Sequence, residues 1–316
     1  MGKYPEALVE YKRSLNMQLA VYGTEKPHPL VATTYNLIGS VHNSMGKYQE
    51  ALAEFKRSLN MQLAIYGTEK NHPSVASTYN IIGSVYNSMG KYLEALAEYK
   101  RCLNMRLAVY GTEKPHPSVA TTYSLIGSVY DRIGKYPEAL VEYKRSLNMQ
   151  LAIYGTKKSH PSLANTYSLI GSVYNSMGKY LEALAEYKRS LNMILAVYGT
   201  DKPHPFVATT YSNIGSVYDR IGKYPEALVE YKKSLNVRLA IYGTEKPHPH
   251  VATSYDKIGS VYDSMGKYSE ALAEYKKCLN MRLAVYGTAH PSVADTYDNI
   301  NSVYKSMGKD PEALAE

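Results

Sequence analysis

Tryptophan is absent from this sequence, and phenylalanine and cysteine occur twice each. The cysteines, Cys102 and Cys278, stand 176 residues apart, at equivalent places in two copies of a repeat. That spacing argues against a bridge between them, and such sparse cysteine fits a reducing, cytoplasmic compartment. No apolar run approaches the ~18–20 residues of a membrane span, and no charged-then-apolar leader opens the chain. A membrane partner is therefore not expected. The sequence also lacks a Gly-rich phosphate loop, a nucleophile elbow, zinc-spaced Cys/His sets and isolated carboxylate pairs. The expectation is a protein that is not an enzyme and holds no cofactor or metal.

What is present is repetition. Met/Ile-Gly-Lys recurs with its glycine at Gly2, Gly46, Gly90, Gly134, Gly178, Gly222 and Gly266, every 44 residues, and then at Gly308 after 42. A fixed period of this size marks a solenoid, in which each unit buries its apolar face against its neighbours. The formal charge of +8 is spread evenly. Lys47, Lys56, Arg57 and Lys70 alternate with Glu50, Glu54 and Glu69, and the pattern recurs in every copy. A solvated outer face is the better reading, and nucleic acid is a disfavoured partner.

One copy gives the architecture. Val31, Tyr35, Ile38 and His42 follow the 3–4 spacing of one helical face. Pro29 suits a first helical position, and Gly46 suits a left-handed C-terminal cap. A second helix carries Ala51, Leu52, Phe55, Leu59, Leu63 and Tyr66 and ends at Gly67. The loop Thr68-Glu69-Lys70-Asn71 then leads to His72-Pro73, the entry of the next copy. The seven His-Pro pairs read as helix-entry devices, since equivalent histidines on packed helices ~8–10 Å apart cannot converge on one metal. The 33 tyrosines fall on the core faces, each hydroxyl needing a partner or an exit to solvent. Met61 and Met105 read as core gap-fillers.

Tyr79-x-x-Ile82-Gly83-x-x-Tyr86, followed by Gly90, Tyr92, Ala95, Tyr99 and the small Cys102, resembles the tetratricopeptide (TPR) repeat, with Tyr in the leading Trp position. The lengthened second helix and the His-Pro entry are similar to the long repeats of kinesin light chains and nephrocystin-like proteins. The resemblance implies an all-α, right-handed superhelical solenoid of antiparallel helix pairs. The expected organisation is a single array over 1–316. It holds the second helix of a truncated repeat (1–23), repeats 28–67, 72–111, 116–155, 160–199, 204–243 and 248–287, and a last truncated repeat (290–316). No heptad coiled coil accompanies the repeats, so a motor-bound light-chain role is not expected. Asn301 replaces the packing glycine of the last copy, which predicts a looser helix pair there. The absence of polar caps predicts end-to-end self-association; light scattering from a monomer at all concentrations would overturn that.

The other face of each first helix carries Thr33, Asn36, Ser40 and Asn43, a polar stripe that in TPR proteins lines the concave groove. Between copies the core stripe barely changes, whereas this one does. One column reads Asn36, Asn80, Ser124, Ser168, Ser212, Asp256, Asp298; another reads Asn43, Asn87, Asp131, Asn175, Asp219, Asp263, Lys305. Beside them Leu37, Ile81, Leu125 and Leu169 give way to Asn213, Lys257 and Asn299. The expected function is a scaffold binding an extended or helical peptide segment of a partner protein. Its groove residues would be Asn36, Asn43, Asn80, Asn87, Asp131, Arg132, Asn175, Asp219, Arg220, Asp256, Asp263 and Asp298. The alternative is a structural or self-assembling module with no specific ligand. Kinesin light chains read acidic cargo with a basic groove; here Arg132 and Arg220 are the cations regularly near the stripe. Acidic cargo is thus disfavoured in the second half. A chaperone-type carboxylate clamp lacks its Lys and Arg.

Overall fold

The computed structural model describes residues 3–24, 26–68, 70–112, 114–156, 158–199, 202–244 and 246–308. Among them are fourteen helices and no strand, and 82% of these residues are helical. Two compact units are formed, residues 1–156 and 157–316. The first holds α1 (Tyr4–Tyr22), α2 (Pro29–Ser44), α3 (Tyr48–Tyr66), α4 (Pro73–Ser88), α5 (Tyr92–Tyr110), α6 (Pro117–Arg132) and α7 (Tyr136–Tyr154). The second holds α8 (Pro161–Ser176), α9 (Tyr180–Tyr198), α10 (Pro205–Arg220), α11 (Tyr224–Tyr242), α12 (Pro249–Ser264), α13 (Tyr268–Tyr286) and α14 (Pro291–Ser306). Within each unit every helix packs on the next in sequence, and the most extensive packing joins the two helices of one Gly-Lys turn. Each unit is an all-α stack of helix hairpins. Gly2, Glu69 and residues 309–316, the end of the expected last truncated repeat, lie outside the described residues.

The helix boundaries follow from local chemistry. His28 is the N-cap of α2: its Nδ1 accepts from Leu30 N at 3.3 Å, and Pro29 follows at the first position. Its imidazole also stacks on Tyr22, the last residue of α1, with ring centroids 3.7 Å apart. The same cap and stack recur at His72 on Tyr66, His116 on Tyr110 and His248 on Tyr242. At the other end of α2, Gly46 N donates to Asn43 O and Lys47 N to His42 O, a Schellman closure. That closure needs the left-handed backbone that Gly46 supplies with φ of 73°.

The core is layered between hairpins. Ala51, Leu52 and Phe55 of α3 pack with Ile82 and Val85 of α4. Ala95 and Tyr99 of α5 meet Ile126 and Val129 of α6. In the second unit Ala183, Leu184 and Tyr187 meet Ile214 and Val217, and Ala271, Leu272 and Tyr275 meet Ile300 and Val303. Gly83 lets α4 approach the ring of Tyr99 closely: a Cβ there would lie 2.8 Å from Tyr99 Cδ1. Ser58, Ser146, Ser190 and Ser234 are buried and donate to the carbonyls of Ala32, Ala120, Ala164 and Ala208, each at 2.7 Å. Cys102 and Cys278 occupy the same column and are free thiols. Asn301 is exposed.

One sequence reading needs adjustment. Met61 and Met105 are half-buried instead of core residues; Met61 lines a surface cleft with Tyr35, Arg57 and Asn60. On α1, Val9, Met17 and Val21 remain exposed.

Candidate functional site

Along the polar stripe of α2 and α4, exposed hydroxyls alternate with half-buried amides. In the first unit Thr33 and Ser40 are exposed on α2, while Asn36 and Asn43 are half-buried. The hydroxyls are satisfied on their own helix: Thr33 Oγ1 donates to Pro29 O at 3.0 Å and Ser40 Oγ to Asn36 O at 2.8 Å. Their lone pairs stay available. Asn36 Nδ2 reaches Thr78 Oγ1 of α4 at 3.5 Å, a contact at the limit of hydrogen bonding. Asn80 and Asn87 hold the same places on α4, and Asp131 follows on α6, all half-buried. Arg132 is exposed in the last turn of α6, where a cation complements the helix dipole.

The carbonyl oxygens of Asn36, Asn43, Asn80, Asn87 and Asn175 share one property. Each is shielded from solvent and has no hydrogen-bond partner among the described residues. A buried acceptor left unpaired costs roughly 1–3 kcal/mol. Five such atoms in two adjoining columns are more than packing alone would select.

In the second unit Asn175 stands on α8, Asp219 and Arg220 end α10, Asp256 and Asp263 lie on α12, and Asp298 is exposed on α14. Burial pushes the carboxyls of Asp219 and Asp263 above the usual carboxylate range, as it does that of Asp131 in the first unit. Arg132 opposes that shift at Asp131; Lys257 and then Arg220 oppose it at Asp219. Asp256 is paired: Arg282 Nη2 lies 3.4 Å from its Oδ2, and Asn299 Nδ2 donates to Oδ1 at 3.4 Å.

The stripe is also tied to the core in a way the repeat pattern did not announce. The hydroxyls of the buried Tyr99, Tyr143, Tyr231 and Tyr275 lie near Ser84, Ser128, Ser216 and Ser260, the column that begins at Ser40, and these serines partly oppose the effect of burial on the phenols. Burial raises all four phenols, Tyr231 and Tyr275 to about 12. Asp131, Asp219 and Asp263 sit close enough to push Tyr143, Tyr231 and Tyr275 up further. The column of Asn43 therefore borders the tyrosine layer as well as the surface.

Reading the sequence column by column also missed a cationic cluster. Lys257 and Arg238 approach one another in the second unit around a cavity of about 300 Å³ that Ser212, Asn213 and His250 also line. The signal was there: Lys257 and His250 depart from their own columns, Arg238 is one of three arginines in its column, and the three meet in space. The expectation that acidic cargo is disfavoured in the second half rested on Arg132 and Arg220 as the cations near the stripe; here Asp256 is paired and two further cations are present.

Among the described residues no group of three His, Cys, Asp or Glu side chains is placed to hold a metal. No helix there is long and apolar enough to cross a membrane.

The family model for the tetratricopeptide repeat matches residues 1–72, 74–152, 162–240, 206–284 and 250–315. No curated protein matches the sequence. Among solved structures the chain is similar to BtubC (BKLC) from P. vanneervenii, at 20% identity and a TM-score of 0.64 over 77% of this chain and 94% of that one. A kinesin light chain protein of nearly identical TPR-like repeats from Podosopora anserina aligns at 16% identity and a TM-score of 0.58, over 69% and 99% of the two chains. The STAND signal-transduction ATPase with a tetratricopeptide repeat sensor from Pyrococcus horikoshii gives 15% identity and a TM-score of 0.68, over 98% of this chain and 43% of that one. At such identities the likeness is one of fold. TPR proteins generally act as protein–protein interaction scaffolds and are typically non-enzymatic. Helix hairpins of 44-residue period, their Gly–Tyr packing and matches along nearly the whole sequence make this chain a member of the tetratricopeptide repeat family.

Proposed function

We propose that the protein is an adaptor that binds a peptide segment of a partner protein along the polar stripe of its first helices. The observation that carries this is the set of half-buried amides at Asn36, Asn43, Asn80, Asn87 and Asn175, whose carbonyl oxygens lack partners. Amides offer both donor and acceptor to a peptide backbone, and turning one exchanges its oxygen for its nitrogen at the surface. Arg132, Asp131, Asp219, Arg220, Asp256, Asp263 and Asp298 would set charge preference along the groove. The variation of these columns against a constant core fits a surface tuned copy by copy.

A display screen of short disordered peptides, run on the parent and on Asn80→Ala/Asn87→Ala, tests the reading. A motif enriched on the parent and lost on the variant is expected. Melting should not fall, because the substitution removes unpaired oxygens. Equal affinity in the variant would sink the site assignment. The competing reading is assembly of copies, for which the exposed Val9, Met17 and Val21 of α1 offer an apolar face. Oligomers that persist in the double variant, with no enriched peptide, would favour it.

A further inference from the structure

In a near-perfect repeat, the informative side chains are those that break their column. The column of Arg238 reads Gln18, Gln62, Arg106, Gln150, Ile194, Arg238, Arg282. At the column of Lys257 the preceding copies carry Leu37, Ile81, Leu125, Leu169 and Asn213. His250 stands where Ser74, Ser118, Ser162 and Ser292 occur. Arg238, one of three arginines in its column, and the two departures Lys257 and His250 surround one cavity of about 300 Å³ in the second unit, together with Thr209, Ser212, Asn213 and Tyr242.

The charge at this cavity is not balanced. Arg238 is 9% exposed and its Nη1 donates to two neutral oxygens, His250 O and Ser254 Oγ, both at 2.7 Å. Lys257 Nζ donates to Ser212 Oγ at 2.9 Å and lies 5.3 Å from the centroid of the Tyr231 ring. Neither cation makes an ion pair with a carboxylate among the described residues. Burial and then Arg238 pull the Lys257 ammonium below its usual range, against support from Asp219 and Asp256, and burial lowers Arg238 as well.

The two other arginines of the column provide an internal comparison. Arg106 makes the same pair of bonds, to Ser118 O at 2.8 Å and Thr122 Oγ1 at 2.6 Å, but the Lys257 position of its copy is Leu125. Arg282 repeats the pattern and adds Asp256 at 3.4 Å, from the position that Ser212 holds beside Arg238. At Arg238 a second cation has been added and the carboxylate left out. Partly buried like charges are costly unless a counter-charge joins them.

We infer that this cavity is a binding site for a phosphate group, held between Lys257 and Arg238 with His250, Asn213 and Ser212 as neutral or titratable neighbours. A phosphate brings nearly two negative charges and three accepting oxygens, which two cations and an amide can meet. A single carboxylate would leave one cation unanswered. The phosphate could be a free ion or one carried on a protein side chain; the chemistry at the cavity is shared. The inference does not depend on the peptide-groove reading, because its probe is a small ion.

Isothermal titration of the full chain with inorganic phosphate, at ionic strength held constant with chloride, tests it. The repeat supplies its own control substitutions. Lys257→Leu installs what Leu169 is, and Arg238→Gln what Gln150 is, so both residues already fit this fold. Arg106→Gln is the matched control elsewhere. Saturable phosphate binding is expected on the parent and on Arg106→Gln, weakened about tenfold or more by Lys257→Leu and by Arg238→Gln. N-acetyl-O-phosphoserine amide bound as tightly as phosphate would assign the source to a phosphorylated protein; its exclusion while phosphate binds would assign a free ion. Absence of saturable binding, binding unchanged in both variants, or acetate bound as tightly as phosphate would each overturn the inference.

Discussion

Replacing Gly127 by alanine sets two well-characterised effects against each other. Glycine inside a helix is about 1 kcal/mol worse than alanine, so on propensity alone Gly127→Ala should stabilise α6 by that amount. The packing opposes it. The new Cβ would lie 2.9 Å from Cδ1 and 3.0 Å from Cε1 of Tyr143, a ring that is 1% exposed. Carbon atoms prefer roughly 3.5–4.0 Å, so the ring or the helix must move by about half an ångström or more. Overpacking of this kind costs about 1–3 kcal/mol. The net expectation is a loss of about 1 kcal/mol. In a Tyr143→Leu background the ring is gone, and the same substitution should become stabilising by about 1 kcal/mol, a coupling of about 2 kcal/mol. Urea unfolding followed by far-UV circular dichroism reads both, analysed with a nearest-neighbour description because arrays need not unfold in two states. Gly127→Ala that stabilises the parent, or that acts equally in both backgrounds, would refute the packing argument.

Asp131→Asn with Asp263→Asn should raise the melting temperature near neutral pH and leave it unchanged at about pH 3. Burial raises both carboxyls, so the folded state holds its protons more tightly; their contribution is full below the unfolded pKa and is lost as pH rises through the folded one. A parent that melts as high as the variant near pH 7 would contradict this. His116→Ala should cost about 1–3 kcal/mol, from the cap onto Ser118 N and the stack on Tyr110 at 3.6 Å. His116→Asn should keep the cap and lose the stack, recovering about half; equal losses in the two variants, by urea unfolding, would show that the cap contributes nothing.

Periodicity made the hairpins readable because it reports side chains that face neighbours. Pro29, Gly46 and Gly67 mark helix ends by backbone geometry alone, and that geometry is local. The assignment of Tyr99 to the core was equally local, but Ser84, which lies near its hydroxyl, belongs to the preceding helix and to the stripe that sequence reasoning gave to a ligand. His42 likewise fills a tyrosine position and leaves Nδ1 buried and unpartnered, which no single-copy pattern announces. The cluster at Lys257 was hidden for a different reason. Its members come from α11 and α12, beside Ser212 and Asn213 of α10, and each departure is unremarkable until packing brings the columns together. Repeats make folds legible and sites obscure, since function resides in the deviations.

The two cysteines carry one more consequence. Each is fully buried, Cys102 in the first unit and Cys278 in the second, and burial pushes both thiols up, that of Cys278 to about 11. A thiol so placed reacts only when its helix pair opens. Cys102 beside Thr122 reports opening between α5 and α6, and Cys278 beside Thr296 reports opening between α13 and α14. The chain thus carries a clock in each unit, and the rate at which a thiol reagent labels either one measures the local stability of that stretch without any substitution.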